Sequence, residues 1–204
     1  MTSADYSKLD HWSAKAQQEN YPARSVYKLK EMDEKFGLVK GGLKVLDLGA
    51  APGSWSLYTL RKSPRASVVS VDLSPLSRSF DQGLFDKPEF VFIQGDFTSP
   101  EVREKILSRG PYKLILSDAA PATTGNRSVD TLRSLALAEI ALDYATTALL
   151  EGGKLVVKVF QGGDSGALLE SMRGLFESAK SFKPKSCRKG SFEVYYLGLG
   201  KIRD

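Results

Sequence analysis

Lys158 stands in the middle of an apolar run, Lys154-Leu-Val-Val-Lys158-Val-Phe160. Burying an ammonium there without a partner costs on the order of several kcal/mol, so the chain must supply counter-charges. Three other charged side chains sit in comparably apolar or aromatic settings: Lys28 in Ser25-Val-Tyr-Lys-Leu29, Asp118 ending Lys113-Leu-Ile-Leu-Ser-Asp118, and Glu193 in Ser191-Phe-Glu-Val-Tyr-Tyr196. Two lysines and two carboxylates neutralise one another if the fold gathers them. Such a cluster costs stability and suits proton chemistry, because proximity and burial are expected to move lysine and carboxylate pKa values toward the working range.

A second group of residues suits a ligand. Asp47-Leu-Gly-Ala-Ala-Pro-Gly-Ser-Trp55 follows a short apolar run, and Gly49, Ala50, Pro52 and Gly53 make a turn tight enough for a ligand to approach backbone. The spacing is not the dinucleotide fingerprint, because Pro52 stands in the turn, and no Lys-Ser/Thr pair of a P-loop follows. A pyrophosphate is badly served here. Asp72 ends Ser67-Val-Val-Ser-Val71, and Asp96 follows Phe90-Val-Phe-Ile-Gln-Gly95. Either acid alone is an ordinary turn former. As an ordered set along one sheet edge they can accept hydrogen bonds from ribose hydroxyls and an exocyclic amine. The description is an adenosine pocket without phosphate, which S-adenosylmethionine fits better than NAD or ATP. The expected cofactor-binding residues are Asp47, Gly49, Ala50, Pro52, Gly53, Trp55, Asp72, Asp96 and Asp118. With one histidine and one cysteine, His11 and Cys187, the chain offers no cluster of soft metal ligands and no disulfide framework, and no metal is expected.

The elements that must position these residues alternate. Strands are expected near 44–48, 67–72, 90–94, 113–118, 154–160 and 193–199, with helices near 53–62, 100–109, 130–150 and 165–179. This is the rhythm of a doubly wound α/β sheet. The helix from Asp130 is expected to be capped by that acid and stopped by Gly152-Gly153, and Pro184 argues for an antiparallel hairpin at one edge. Ahead of the first strand, residues 5–36 read as an arm with a break at Tyr21-Pro22 and an apolar stripe of Val26, Leu29, Met32 and Phe36. Lys28 lies beside that stripe, facing a neighbouring site.

At 204 residues and 42% hydrophobic content, one domain with a full core is expected over 1–204, residues 1–40 forming the helical arm. The first ten residues lack the apolar run of a signal peptide, and no stretch approaches the ~20 apolar residues of a membrane span, so a cytoplasmic location is expected. From Lys180 to Asp204, seven basic residues stand against two acids, which accounts for the whole net charge of +5. That basic end resembles the footprint of a polyanion binder, and Arg127 and Arg133 are further candidates for phosphate contacts.

These motifs together resemble the FtsJ-type ribose 2′-O-methyltransferase family, in particular its branch acting on large-subunit ribosomal RNA. The similarity runs nearly end to end, through Tyr21-Pro-Ala-Arg-Ser-Val-Tyr-Lys-Leu29, Leu46-Asp-Leu-Gly-Ala-Ala-Pro-Gly53, Gln94-Gly-Asp-Phe97, Ser117-Asp118 with Ala120-Pro121, Val156-Val-Lys-Val-Phe-Gln-Gly162 and Glu193-Val-Tyr195. The resemblance implies a class I S-adenosylmethionine-dependent methyltransferase fold, Rossmann-like, with a seven-stranded mostly parallel sheet and an antiparallel last strand. It also implies a catalytic tetrad of Lys28, Asp118, Lys158 and Glu193. The implied reaction is methyl transfer to a uridine 2′-hydroxyl of 23S ribosomal RNA in the assembled large subunit, by a monomer. Transfer RNA and capped RNA are alternative acceptors, and a non-catalytic RNA-binding module of the same fold is an alternative role. Three positions depart from the family pattern: Ser54 replaces a glycine, Ala122 an asparagine and Phe192 an arginine. Within the tetrad, Lys158 is the expected proton-handling group. Lys28 and burial favour its neutral form as a base; Asp118 and Glu193 favour the ammonium as an oxyanion stabiliser.

Overall fold

The computed structural model describes residues 10–163 and 165–202. Residues 5–9 of the expected arm, and Arg203 and Asp204 of the basic end, lie outside the described residues. Two helices come first, α1 (His11–Gln18) and α2 (Val26–Phe36). Then follow β1 (Lys44–Leu48), α3 (Ser54–Lys62), β2 (Ser67–Asp72), a 3-10 turn at Leu84–Asp86, β3 (Phe90–Gln94), α4 (Pro100–Leu107) and β4 (Tyr112–Ser117). The chain continues through α5 (Arg127–Ala148), β5 (Leu149–Phe160), α6 (Ser165–Leu175), β6 (Phe176–Phe182) and β7 (Glu193–Lys201). The seven strands form one sheet in the order β3-β2-β1-β4-β5-β7-β6, and β7 alone runs opposite to the other six.

Short runs such as Val45-Leu46 and Leu114-Ile115-Leu116 are buried because helices cover both sheet faces. One face packs against α4, α5 and α6, the other against α1, α2 and α3. Leu29 and Met32 of α2 are fully buried on the second face, each worth ~2 kcal/mol of apolar burial. Lys154 Nζ donates from β5 to the carbonyls of Phe36 and Gly37, satisfying the open end of α2. Buried Asp33 accepts from Tyr58 Oη at 2.7 Å and from the Val39 amide at 2.8 Å. Those bonds fix the helix that carries Lys28 in register with the sheet.

Three expectations change. Residues 176–179 belong to strand β6, not to the end of a helix. The alternating polar composition of Phe176-Glu-Ser-Ala-Lys-Ser-Phe182 suits an edge strand, and its pairing with β7 decides the matter. Helix α5 starts at Arg127 with Asn126 as its cap, the Asn126 side chain accepting from the Ser128 and Val129 amides. Asp130 instead accepts from Thr124 and Gly125 and pins the β4–α5 loop. Finally, α5 passes directly into β5 at Leu149, so Gly152 and Gly153 lie within that strand and do not stop the helix.

Candidate active site

Sheet register brings the charged residues together. Lys158 on β5 is paired with Tyr195 on β7. Residues directly opposed across a ladder share a face, and so do residues two apart on a strand, so Lys158, Tyr195 and Glu193 all project toward the α2 and α3 layer. β4 ends with Ser117 opposite Val157, which sets Asp118 level with Lys158. Lys28 arrives from the first turn of α2.

The four residues form two ion pairs. Lys28 Nζ lies 2.9 Å from Glu193 Oε2, and Lys158 Nζ lies 3.1 Å from Asp118 Oδ1. Lys158 also donates to the Asp118 backbone carbonyl, so its amine is held at two points by one residue. The Tyr195 hydroxyl donates to Asp118 Oδ1 at 2.6 Å and is itself fully buried. Sequence reasoning gave Tyr195 no role, although its two-residue spacing from Glu193 in a strand places both on one face.

Electrostatics overturn the expectation that the cluster moves its members toward neutrality. Burial opposes the charge on Asp118, but the Lys158 and Lys28 ammoniums outweigh it and hold the carboxyl below the usual range. Burial likewise opposes the charge on Lys28, and Asp118 and Glu193 outweigh it, raising that amine above the ordinary lysine range. Both groups therefore stay ionised at neutral pH. Half-buried Cys187 beside them has its thiol pushed up to about 12, by burial and then by the Glu193 charge, which makes it a poor nucleophile.

Along the carboxyl ends of β1 to β4 lies a cavity of about 650 Å³, well within the ~300–1,000 Å³ of small-molecule sites. Gly49, Asp72, Asp96 and Asp118, four of the residues proposed from sequence, line it. Asp72 Oδ2 accepts from the Ala51 amide at 2.9 Å and Asp96 Oδ1 from the Thr98 amide at 2.8 Å, which fixes both carboxylates at their strand ends. Gly49 has φ +72°, and a Cβ there would lie 2.6 Å from Ala119 Cα, so only glycine lets the two loops close around the cavity.

The other expected cofactor residues stand behind this lining. Trp55 is buried, donates to the Ser25 carbonyl at 2.8 Å and packs against Tyr195, tying α3 to the arm. Ala50, Pro52 and Gly53 shape the turn without lining the cavity. Asp47 is buried, with Oδ2 accepting from Ser56 Oγ and Oδ1 without a hydrogen-bond partner among the described residues. Burial pushes its carboxyl up to about 7, aided by the charges of Asp118 and Asp72 and opposed by the Ser56 hydrogen bond. Among the lining residues that sequence reasoning missed are Leu73, an apolar side chain 68% exposed next to Asp72, Thr98, and Ala136 and Leu137 of α5. Arg133, expected among the phosphate contacts, lines this cavity too.

A second cavity of about 340 Å³ includes Lys28 and Glu193 in its wall, with Arg24, Phe160, Arg188 and Phe192. The ion pairs thus stand between two cavities, Asp118 in the wall of one and Lys28–Glu193 in the wall of the other. The first cavity fits a nucleoside cofactor: it carries carboxylate acceptors at two strand ends and a glycine cradle. Among the described residues no group of three or more His, Cys, Asp or Glu side chains is placed to hold a metal, and no helix is long and apolar enough to cross a membrane.

The family model described as FtsJ-like methyltransferase matches residues 21–201. The chain belongs to the FtsJ-like methyltransferase family. It is 50% identical over 200 residues to a ribosomal RNA large subunit methyltransferase E of Treponema denticola, covering 98% of each chain. With a protein of the same description from Oleidesulfovibrio alaskensis the identity is 47%, over 94% of this chain and 91% of the relative. Among solved structures, a Plasmodium falciparum protein described as a ribosomal RNA methyltransferase superposes with a TM-score of 0.74 at 27% identity, over 90% of this chain and all of that one. A fibrillarin/Nop5p complex shares the fold, with a TM-score of 0.59 at 20% identity. The architecture is that of the class I methyltransferases, as the sequence implied.

Proposed function

We propose that this member of the family transfers a methyl group from S-adenosylmethionine to a ribose 2′-hydroxyl of RNA, most directly a uridine of large-subunit ribosomal RNA in the assembled subunit. The supporting observation is the position of the two ion pairs between two cavities, one suited to a nucleoside cofactor and the other basic and aromatic. The names borne by the relatives from Treponema and Oleidesulfovibrio support the ribosomal substrate.

When bound, the cofactor supplies an electrophilic methyl carbon on a sulfonium. Asp72 and Asp96 hold the nucleoside through its hydroxyl and amine donors, and the Gly49 turn closes the backbone on it. An alcohol is essentially never ionised at neutral pH, so its proton must leave as oxygen attacks. Lys158 Nζ is the atom that receives it, once the ammonium of the resting ion pair has given up its own proton to water as the acceptor binds. Asp118 aims that amine through its carboxylate and carbonyl and stabilises the ammonium formed, with Tyr195 locking the carboxylate. The fixed Lys28–Glu193 pair faces the substrate cavity, where Lys28 stabilises negative charge developing on the 2′-oxygen and Glu193 orients the ribose. The expected location is the cytoplasm and the expected form a monomer.

The test is transfer from labelled S-adenosylmethionine to hypomethylated large ribosomal subunits, bulk tRNA and capped RNA in parallel, followed by alkaline hydrolysis. Label in one alkali-resistant dinucleotide of large-subunit RNA is the expected result. Label confined to tRNA or cap would overturn the substrate, and cofactor binding without transfer to any RNA would overturn the reaction in favour of a binding module.

A further inference from the structure

The second cavity has in its wall an aromatic side chain, Phe192, that neither the ion pairs nor the cofactor site employs. Phe192 lies in the turn leading into β7, partly exposed, immediately before Glu193. Its ring meets Phe160 at 4.6 Å in an edge-to-face contact, which fixes its plane from one side. The Arg127 guanidinium lies over the same ring, 5.4 Å from its centroid. Arg127 is an exposed side chain at the start of α5, so the planar cation it places over Phe192 can be displaced without breaking a buried contact.

A rigidly backed aromatic ring covered by a displaceable planar group is a stacking platform. Its neighbours indicate what it stacks. Arg24 and Arg188 line the same cavity, and Lys183, Lys185 and Lys189 occur in the same segment between β6 and β7. A positive rim around an aromatic surface is the chemistry that holds single-stranded nucleic acid, with cations on phosphates and a base on the ring. Phe192 lines the same cavity as Lys28 and Glu193, so a base stacked on the ring brings its own ribose toward the Lys28–Glu193 pair. A base paired in a duplex cannot present its face this way, so the nucleotide must be unstacked or looped out.

We infer that Phe192 is the stacking platform for the base of the target nucleotide, the base taking the place that Arg127 occupies in the free protein. The inference rests on the RNA methylation reading above and deepens it, adding the residue that seats the acceptor. Stacking accepts any base face, so Phe192 sets the position of the nucleotide, while its identity is read elsewhere.

The experiment compares Phe192→Leu and Phe192→Trp with the unaltered chain, using hypomethylated large ribosomal subunits and labelled S-adenosylmethionine. Leucine keeps apolar contact with Phe160 and removes the π face; tryptophan keeps the face. The expected result is a fall in kcat/KM for subunits of about 5- to 150-fold in Phe192→Leu, the range a single base–aromatic stack supplies, with Phe192→Trp retaining most of the activity. Cofactor affinity by calorimetry and thermal midpoints should match the unaltered chain in both variants. Full activity in Phe192→Leu, or a loss in Phe192→Trp as deep as in the leucine variant, would overturn the assignment. Failure of the parent reaction reads differently, since the unaltered chain itself would then methylate no RNA, and the stacking role would fall with it.

Discussion

Replacing Lys158 with methionine removes the ammonium at nearly constant volume. Asp118 would keep the Tyr195 hydrogen bond and the attraction of Lys28 while losing the cation 3.1 Å away. Stranding one member of a buried ion pair costs ~3–5 kcal/mol. The Asp118 side chain is 17% exposed at the cavity wall, which places the expected loss at the low end, about 3 kcal/mol. The sign of the pH dependence follows from direction alone. In the unaltered protein the Asp118 carboxyl is depressed, so its contribution is present above the ordinary carboxylate pKa of about 4 and is lost as pH falls through the depressed value. In Lys158→Met burial acts with less opposition, and protonation of Asp118 relieves the penalty as pH falls. The stability gap between the two proteins should be about 3 kcal/mol near pH 8 and should shrink toward zero below about pH 4. Urea unfolding at several pH values measures it. Turnover should fall by about 10²–10⁴, the usual contribution of a positioned proton acceptor, while cofactor affinity holds. A gap that does not change with pH would refute the electrostatic account, and near-normal turnover would remove Lys158 from the reaction.

Three further outcomes follow from the same geometry. Tyr195→Phe deletes a fully buried hydroxyl bonded to a charged carboxylate and should cost ~1.5–3 kcal/mol by urea unfolding, with kcat reduced more than KM because Asp118 loses its orientation; an unchanged kcat would deny Tyr195 a positioning role. Asp72→Ala and Asp96→Ala each remove a carboxylate acceptor from the cofactor cavity, and each should weaken S-adenosylmethionine binding by about 10- to 150-fold in calorimetry; normal affinity in both variants would move the cofactor elsewhere. Asp47, with its carboxyl raised to about 7, favours the fold when protonated, so its stabilising effect is complete below about pH 4 and fades as pH rises through 7. Without added cofactor, Asp47→Asn should flatten that decline, worth on the order of 4 kcal/mol, and parallel pH profiles for the two proteins would contradict it.

The chain's own order of residues determined a good deal. A lysine in an apolar strand requires counter-charges wherever it is buried, so Lys158 announced a polar cluster before any fold was known. The glycine turn after β1 and the acids after β2 and β3 are local features, legible because strand ends and tight turns constrain residue type over a few positions. Four of the seven strands were read within a residue of their bounds for the same reason: each is a short, mainly apolar run bounded by polar or turn-forming residues. The polar edge strand β6 was not legible, since its only strong signal is hydrogen bonding to β7, a segment more than ten residues away. The cap of α5 was misread because Asp130 spends its carboxylate on the loop before the helix. Tertiary structure alone decided how the four charged residues divide. Sheet register set Lys158 against Tyr195 and Asp118, and the docking of α2 through Leu29, Met32 and Asp33 delivered Lys28 to Glu193, 165 positions away. Those pairings fix the electric field at each group, which is why Asp118 and Lys28 are driven further into their charged forms when composition had suggested the reverse. Field and register depend on distances between segments remote in sequence, and no local pattern of residues encodes them.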